Sequence, residues 1–234
     1  MRLKRKKNKH KNALEKRTII AHENPRSPIA EQYRTIRTNL QFASVDKELQ
    51  SFLITSPGPS EGKSLTSANV AAVFAQQGKK VLLVDADLRK PTVHYTFQIN
   101  NTTGLSSYLV NDIDLNSTVQ QSGIDHLYVL PSGPVPPNPS ELLASTKMKQ
   151  MMSEANDLFD LVIFDTPPLL AVTDTQILSN EVDGVVLVVR SKQTEVEAAE
   201  KARDLLQQAH ANILGVVLND QDIRENKYYT YYGE

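Results

Sequence analysis

The stretch that decides the fold of this chain is Ser56-Pro57-Gly58-Pro59-Ser60-Glu61-Gly62-Lys63-Ser64. It follows an apolar run over 51–55 (SFLIT), which predicts the end of a buried strand. Residues 65–77 have the composition of a helix, and Gly78 stands where a helix would stop. A strand, a glycine-containing loop ending in Gly-Lys-Ser, and a helix are the layout of a phosphate-binding loop.

The chemistry of phosphate binding accounts for the residue types in this loop. Small residues let backbone N–H groups turn toward phosphate oxygens, and the N-terminus of the following helix adds its dipole. Lys63 is placed to reach the β- and γ-phosphates, and the Ser64 hydroxyl is a ligand for Mg²⁺. Two positions depart from the usual pattern, since Pro57 replaces the first glycine and Leu65 replaces a second threonine. The predicted nucleotide contacts are Gly58, Pro59, Ser60, Glu61, Gly62, Lys63, Ser64 and Leu65.

Two further apolar segments end in acidic residues. In 80–91 (KVLLVDADLRKP) the apolar run is followed by Asp85 and Asp87, and in 161–168 (LVIFDTPP) it is followed by Asp165. Such runs predict buried parallel strands, whose carboxyl ends form the ligand-binding edge of an open α/β sheet. Because Mg²⁺ takes one or two carboxylates together with phosphate oxygens and water, Asp85 and Asp165 are candidate metal ligands. Asp87 is either a base for an incoming hydroxyl or a solvated turn residue.

Strand-like and helix-like segments alternate along the rest of the chain. This alternation predicts an α/β fold of the P-loop NTPase type, with a mostly parallel sheet and helices on both faces. The segment 132–140 has too many prolines for regular structure, and Ser140 is a plausible cap for the helix that follows. The predicted helices cover 28–43, 63–77, 104–110, 140–155, 174–180 and 194–209, and the predicted strands cover 51–55, 80–84, 126–131, 160–164, 184–190 and 213–218.

The overall composition restricts the class of protein. The chain has 234 residues, of which 40% are hydrophobic, enough for one α/β domain with short appendages. It contains no cysteine, so a disulfide framework and a thiolate metal site are excluded. We see no apolar run of membrane-spanning length and no signal peptide, and we therefore expect a cytoplasmic protein.

Charge is distributed unevenly along the chain. The first 17 residues carry a net charge of +8, whereas the remainder carries −9. Such a basic run predicts a disordered arm that contacts anionic lipid, nucleic acid or an acidic partner, or that serves only as a solubilising tail. We divide the chain into a flexible arm (1–25), a P-loop domain (26–220) and a polar, tyrosine-rich tail (221–234).

The end of the chain concentrates tyrosine. Four of its eight tyrosines lie within five residues, although a polar tail has no core to fill. One interpretation is a loosely packed tail or a piece of an interface. The other, favoured by the nearby nucleotide site, is that these phenols accept phosphoryl groups, each of which would add about −1.5 to −2 charge. The four residues are Tyr228, Tyr229, Tyr231 and Tyr232.

Taken together, these features resemble the bacterial protein-tyrosine kinases associated with polysaccharide synthesis. The resemblance is greatest to the short Gram-positive form, in which the kinase is a separate cytosolic chain, and it runs from residue 26 to the end. A further match, Glu31-x-x-Arg34-x-x-Arg37, fits the oligomerisation helix of the family, although i, i+3 spacing also gives ordinary intrahelical pairs. The other matching segments are the loop 58–64, a second Walker-like motif over 84–89, a Walker B motif over 164–168, a loop over 133–143 and the terminal tyrosines.

The resemblance implies a mechanism with ATP and Mg²⁺ as cofactors. Lys63 would stabilise the charge on the transferring phosphoryl group. Ser64, Asp85 and Asp165 would organise the metal. Asp87 would help to deprotonate the acceptor tyrosine. Catalysis would then consist mainly of positioning and charge stabilisation.

The resemblance also implies partners. Unphosphorylated chains are expected to form a ring, an octamer, in which the tail of one subunit enters the active site of its neighbour. Phosphorylation of the tail would then dissociate the ring. A membrane adaptor with a cytoplasmic tail is expected to recruit and activate the kinase, and the basic arm would assist by contacting anionic lipid. The other substrates would be cytosolic proteins, and their phosphorylation would regulate capsular or exopolysaccharide production.

Two alternatives use the same loop. Partition and cell-division ATPases bind ATP to dimerise and to contact membrane or DNA, but they carry a lysine where this chain has Gly58 and they lack terminal tyrosines. The second alternative is an adaptor that holds nucleotide as a structural ligand, which the intact set of Lys63, Asp85 and Asp165 opposes.

Asn219, after the last predicted strand, is a candidate contact for the edge of the adenine ring or a turn residue.

Overall fold

The computed structural model describes residues 17–43 and 48–221. These residues contain one seven-stranded sheet in the order β3–β4–β2–β5–β1–β6–β7. All neighbouring strands are parallel except β3 and β4. The predicted α/β class with a mostly parallel sheet is therefore confirmed. The strands are β1 (Ser51–Thr55), β2 (Val81–Asp85), β3 (Gln120–Gln121), β4 (Leu127–Leu130), β5 (Leu161–Asp165), β6 (Gly184–Arg190) and β7 (Ile213–Asn219).

Helices cover both faces of the sheet. Because side chains alternate along a strand, Leu53 of β1 points to one face and Phe52 and Ile54 point to the other. The core beneath Phe52 includes residues of α1–α4, and the core beneath Leu53 includes residues of α5–α10. The helices are α1 (Ile20–Glu23), α2 (Pro28–Ala43), α3 (Lys63–Ala75), α4 (Val93–Phe97), α5 (Leu105–Val110), α6 (Leu115–Thr118), α7 (Pro139–Leu143), α8 (Thr146–Leu158), α9 (Asp174–Ser179) and α10 (Val196–Gln208).

Strand β1 lies between β5 and β6 near the centre of the sheet. Its register pairs Ile54 with Asp165, and the register of β2 with β5 pairs Asp85 with Asp165. Parallel strands bring their carboxyl ends to one edge, so the loop after β1 and these two carboxylates meet there. This topology assembles the site.

One predicted helix is wrong in detail. The helix expected over 140–155 is two helices, α7 and α8, separated by a short turn. The cap of the longer helix is Ser145, whose Oγ accepts a hydrogen bond from Met148 N at 3.2 Å. Ser140 lies inside α7, and its hydroxyl donates to Asp174 Oδ1 at 2.7 Å. The predicted cap, Ser140, is wrong because its hydroxyl is bonded to Asp174 instead of to the start of the longer helix. Four short elements, α1, α4, α6 and β3, were not predicted.

Part of the predicted arm belongs to the folded domain. Ala21 of α1 is buried, and its N–H donates to Asn69 Oδ1 at 2.9 Å. The side chain of Gln76 donates to Ala21 O at 2.8 Å, and Arg17 Nη1 donates to Thr92 O at 3.2 Å. The predicted boundary at residue 25 therefore lies too far along the chain. The rest of the arm, 1–16, and the tail from 222 onward lie outside the described residues.

Candidate active site

The loop between β1 and α3 is built around Gly62. This residue has φ +89°, a left-handed conformation that favours glycine, and its carbonyl accepts from Thr66 N at 2.9 Å in the first turn of α3. Lys63 is the first residue of α3, as a phosphate-binding loop requires. The outer side of the loop is fastened by Leu169 N, which donates to Ser56 O at 2.8 Å, and by Leu170 N, which donates to Pro57 O at 3.2 Å.

Lys63 connects the loop to the acidic strand ends. Its Nζ lies 3.3 Å from Asp87 Oδ2, 3.5 Å from Asp165 Oδ1 and 3.2 Å from Ser64 Oγ. Burial alone would lower the pKa of the Lys63 ammonium, but the charges of Asp165, Asp87 and Asp85 outweigh it and raise the pKa. Lys63 is therefore a fixed cation at the edge of the sheet.

Asp85 is fully buried and holds the start of α4. Its Oδ2 accepts from Thr92 N at 3.0 Å and from Val93 N at 2.9 Å, and its Oδ1 accepts from Asp87 N at 3.3 Å. Burial, together with the negative charge of the neighbouring Asp165, raises the pKa of Asp85 to about 8. The carboxyl group is placed by the loop that it caps.

Asp165 is as buried as Asp85, but its carboxyl group accepts fewer hydrogen bonds. Its Oδ1 accepts from Ser67 Oγ at 3.1 Å, while Oδ2 is buried without a hydrogen-bond partner among the described residues. Burial raises the pKa of Asp165, and the positive charge of Lys63 partly offsets that rise. An orphaned carboxylate oxygen beside a second carboxyl group is unfavourable unless a cation or a proton compensates for it.

The donor set fits Mg²⁺. Asp85, Asp165 and the Ser64 hydroxyl supply hard oxygen ligands, and the unpartnered Asp165 oxygen is available to a cation. No group of three or more His, Asp or Glu side chains within 17–43 and 48–221 is placed to hold a metal alone. A magnesium ion here would therefore depend on phosphate oxygens and water for its remaining ligands, which is how Mg²⁺ binds with nucleotides.

The raised pKa of Asp85 predicts a pH-dependent stability of the metal-free protein. The folded pKa of Asp85, about 8, lies above its unfolded pKa of about 3.9. The contribution of the protonated carboxyl group to the free energy of unfolding is therefore complete below pH ~4. It is lost progressively as the pH rises from ~4 through ~8. The melting temperature in EDTA should fall from pH 6 to pH 9 more steeply for the wild type than for Asp85→Asn. Equal slopes for the two proteins would contradict the assignment.

Asp87 faces Lys63 from the loop after β2. Its Oδ1 accepts from Lys90 N at 3.0 Å, and its Oδ2 lies beside the Lys63 ammonium. The side chain is 7% exposed, so it is not the solvated turn residue of the alternative interpretation. The structure thus brings all four predicted catalytic residues together: Lys63, Asp85, Asp87 and Asp165.

Asn219 lies at the end of β7, beside the loop. Its Nδ2 donates to Glu61 O at 2.9 Å, so the side chain holds the loop, a contact that the sequence did not indicate. It also lines a cavity of about 570 Å³ that extends past Leu65 and Thr66 toward α2. A candidate adenine site is therefore present next to the phosphate loop.

Sequence reasoning missed an ion pair that fixes the loop carrying Asp87. Arg89 donates to the buried Asp174 through Nε at 2.9 Å and through Nη2 at 3.0 Å, and Nη2 also donates to Ser140 Oγ at 2.9 Å. These contacts join the loop after β2 to α7 and α9. The sequence does not indicate this pair, because neither an arginine after a strand nor an aspartate at the start of a helix specifies its partner.

The predicted oligomerisation residues make contacts within the chain. Arg34 Nη1 pairs with Glu31 Oε2 at 2.7 Å, and Arg34 Nη2 donates to Pro25 O at 2.6 Å. Arg37 Nη1 donates to Val73 O of α3 at 2.9 Å. The pair between Arg34 and Glu31 is the intrahelical contact that the alternative interpretation of this motif expected, whereas the contacts with Pro25 and Val73 were not predicted. A role in assembly remains a prediction.

Comparison with known proteins finds relatives that match most of this chain. Residues 60–213 match the family described as "AAA domain". The chain is 53% identical over 225 residues to the tyrosine-protein kinase YwqD of Bacillus subtilis (strain 168), covering 96% of this chain and 95% of that protein. The crystal structure of the chimerical protein CapA2B2 matches with a TM-score of 0.84 at 44% identity, covering 87% of this chain and 89% of that one.

The fold and the site define a P-loop enzyme that binds ATP. The chain belongs to the family of bacterial tyrosine-protein kinases. The septum site-determining protein MinD of Pyrococcus horikoshii OT3 also matches, with a TM-score of 0.62 over 75% of this chain and 72% of that one, but at 21% identity. That likeness shows a shared fold alone. The predicted kinase activity is confirmed by the relatives of 40–53% identity, which are tyrosine-protein kinases.

Proposed function

We propose that this kinase binds Mg²⁺–ATP on the loop 56–64 and transfers the γ-phosphoryl group to tyrosines in the tail of a neighbouring copy. The observation that carries the proposal is the position of Lys63, with its ammonium within 3.5 Å of both Asp87 and Asp165. A cation fixed at the loop stabilises negative charge on a transferring phosphoryl group without reorganising during the reaction.

Asp87 is proposed as the group that receives the proton of the acceptor tyrosine. Its Oδ2 faces the Lys63 ammonium and the reacting edge of the sheet, and its Oδ1 is fixed by Lys90 N. As the tyrosine oxygen attacks phosphorus, its proton passes to Asp87, and the bond from phosphorus to the leaving oxygen of ADP breaks. A base within reach of the acceptor hydroxyl is the geometric requirement for this step.

The remaining cofactor contacts follow from the loop and its surroundings. The backbone of 58–65 would cradle the phosphates, and Ser64, Asp85 and Asp165 would hold Mg²⁺, which neutralises charge on the phosphate oxygens when bound. We propose that the adenine enters the cavity lined by Asn219. Its Oδ1 and the second hydrogen of Nδ2 would face the base, because the first hydrogen of Nδ2 is bonded to Glu61 O.

Assembly and location are proposed from the family resemblance. We propose an octameric ring joined through α2, with Glu31, Arg34 and Arg37 at the contact. We further propose recruitment from the cytoplasm to the inner face of the membrane by an adaptor with a cytoplasmic tail, aided by the basic arm. No helix within 17–43 and 48–221 is long and apolar enough to cross a bilayer. A separate adaptor would supply the membrane attachment, and cytosolic proteins of polysaccharide synthesis would be further substrates.

Phosphotyrosine mapping tests the proposed acceptor. After incubation with Mg²⁺–ATP, with and without an adaptor tail, wild-type chains should carry phosphate on the tail tyrosines. Conversion of the four to phenylalanine should remove nearly all of the signal, whereas Tyr95→Phe should retain it because Tyr95 is an exposed tyrosine of the folded domain. The four acceptors are Tyr228, Tyr229, Tyr231 and Tyr232.

A mixing experiment tests transfer between chains. The variant with four phenylalanines keeps Lys63 but has no acceptor, and Lys63→Met keeps the acceptors but lacks the catalytic cation. Mixed together with Mg²⁺–ATP, they should yield phosphate on the tail of the Lys63→Met chain. ATP hydrolysis without phosphotyrosine in wild-type protein, even with the adaptor tail present, would overturn the proposed autophosphorylation.

A further inference from the structure

The phosphate-binding loop contains an acidic residue, Glu61, directly before Gly62 and Lys63. A carboxylate in a loop that binds phosphates opposes its own ligand, because like charges at close range repel. Yet Glu61 is 8% exposed, so its charge is also withdrawn from water. The direction in which the Glu61 carboxylate points therefore decides how strongly it repels the phosphates and whether hydrogen bonds compensate for its burial.

The Glu61 carboxylate is held by one contact within the loop and one outside it. Oε1 accepts from Gly58 N at 2.9 Å, and this hydrogen bond joins the first half of the loop to the second. Oε2 accepts from the hydroxyl of Thr194 at 2.7 Å. Thr194 lies between β6 and α10, more than a hundred residues away along the chain, so the second contact exists only in the folded protein.

The Thr194 hydroxyl is itself oriented. Its Oγ1 accepts from Arg190 N at 2.7 Å, which leaves its proton to donate to Glu61. The Arg190 side chain reaches back to the loop, where Nη1 lies 3.4 Å from Ser60 O, and its Nε donates to Asp220 Oδ2 at 2.9 Å. Arg190, at the end of β6, and Thr194, which follows that strand, therefore hold the loop by hydrogen bonds from outside it.

We propose that Thr194 is a positioning residue for nucleotide binding: its hydroxyl directs the Glu61 carboxylate outward and so keeps the loop closed and its interior free of negative charge. The inference rests on the proposed function, because it takes the loop as the ATP site. Thr194 acts through Glu61 and does not touch the nucleotide. Its contribution should appear in nucleotide affinity and not in the chemical step.

Thr194→Val tests this inference because valine keeps the shape of threonine and lacks the hydroxyl. A hydrogen bond to a charged group is lost and the carboxylate is released toward the phosphates. The dissociation constant for Mg²⁺–ADP, measured by calorimetry, and the KM for ATP should each rise about tenfold. The kcat at saturating ATP should stay within about twofold. Thr194→Ser should restore wild-type affinity.

A double-mutant cycle separates the charge effect from general loosening. In a Glu61→Gln background no charge is released, so adding Thr194→Val should weaken Mg²⁺–ADP binding by less than about threefold. Additive effects would contradict the inference. Thr194→Ala, which adds no methyl group beside the carboxylate, is measured in parallel in case the valine variant does not fold, and it must show the same shift.

The matched control is Thr118→Val on α6. It removes a buried hydroxyl that donates to Leu115 O at 2.7 Å, so it should lower the melting temperature and leave nucleotide affinity unchanged. Normal wild-type binding with an unchanged Thr194→Val affinity would overturn this inference alone. Wild-type protein that binds no Mg²⁺–ADP would overturn the proposed function, and this inference with it.

Discussion

Replacing Lys63 with methionine is expected to lower the rate of phosphotyrosine formation by at least about 10²- to 10³-fold, the usual cost of removing a preorganised electrostatic group. Methionine keeps an unbranched side chain, one atom shorter than that of lysine, but has no charge. The Asp87 and Asp165 carboxylates would then face the phosphates without the cation that now lies within 3.5 Å of both. The rate is measured by quantitative phosphotyrosine detection under single-turnover conditions.

The control for this variant is Lys79→Met. Lys79 pairs with Glu48 at 2.8 Å on the surface, so its loss removes the same charge from the chain without touching the site. Its phosphorylation rate should match the wild type, since exposed ion pairs contribute about 0–1 kcal/mol. A Lys63→Met protein that is folded and still phosphorylates at the wild-type rate would refute the proposed role of Lys63.

Gly62→Ala is expected to weaken Mg²⁺–ADP binding on the order of 10²-fold. Two effects combine at this residue. Its φ of +89° costs a residue with a Cβ about 1–2 kcal/mol. The added methyl group would also overlap the side-chain amide of Asn219, which must then give up its hydrogen bond to Glu61 O. Binding is measured by calorimetry at constant Mg²⁺.

Gly78→Ala is a matched control for the backbone strain. Gly78 has φ +86°, nearly the same conformation, but a Cβ there meets no atom within 4 Å. This variant should lose about 1–2 kcal/mol of stability to the strained conformation and bind Mg²⁺–ADP normally. If Gly62→Ala and Gly78→Ala had the same nucleotide affinity, the contact between Gly62 and Asn219 would not matter for the loop.

Local patterns were sufficient for most of the fold. Strands β1, β2 and β5 are each five residues long and fully buried, and their uninterrupted apolar residues give the strong signal of a parallel strand. The long helix α2 was predicted with its observed bounds. The elements that were missed have two to five residues, too few for a hydrophobic period to be recognised. Ser145 was missed as a cap because Ser140 offered the same local chemistry.

The sequence by itself determined the phosphate loop and the two acidic strand ends. These features are local: a loop sequence follows a strand, a carboxylate ends a strand, and parallel strands must bring their carboxyl ends to one edge. Lys63, Asp85, Asp87 and Asp165 could therefore be chosen together before any distance was known.

The tertiary structure alone decided how those groups are held. The loop is closed by Glu61 through Thr194 and by Asn219, and the segment carrying Asp87 is fixed by the pair Arg89–Asp174. Each contact joins residues 85 to 158 positions apart, and in each case a common polar side chain meets a partner that chain packing selects. A single sequence cannot indicate such partners, because hydrogen-bonding capacity is a property of a residue whereas its use depends on which strands become neighbours.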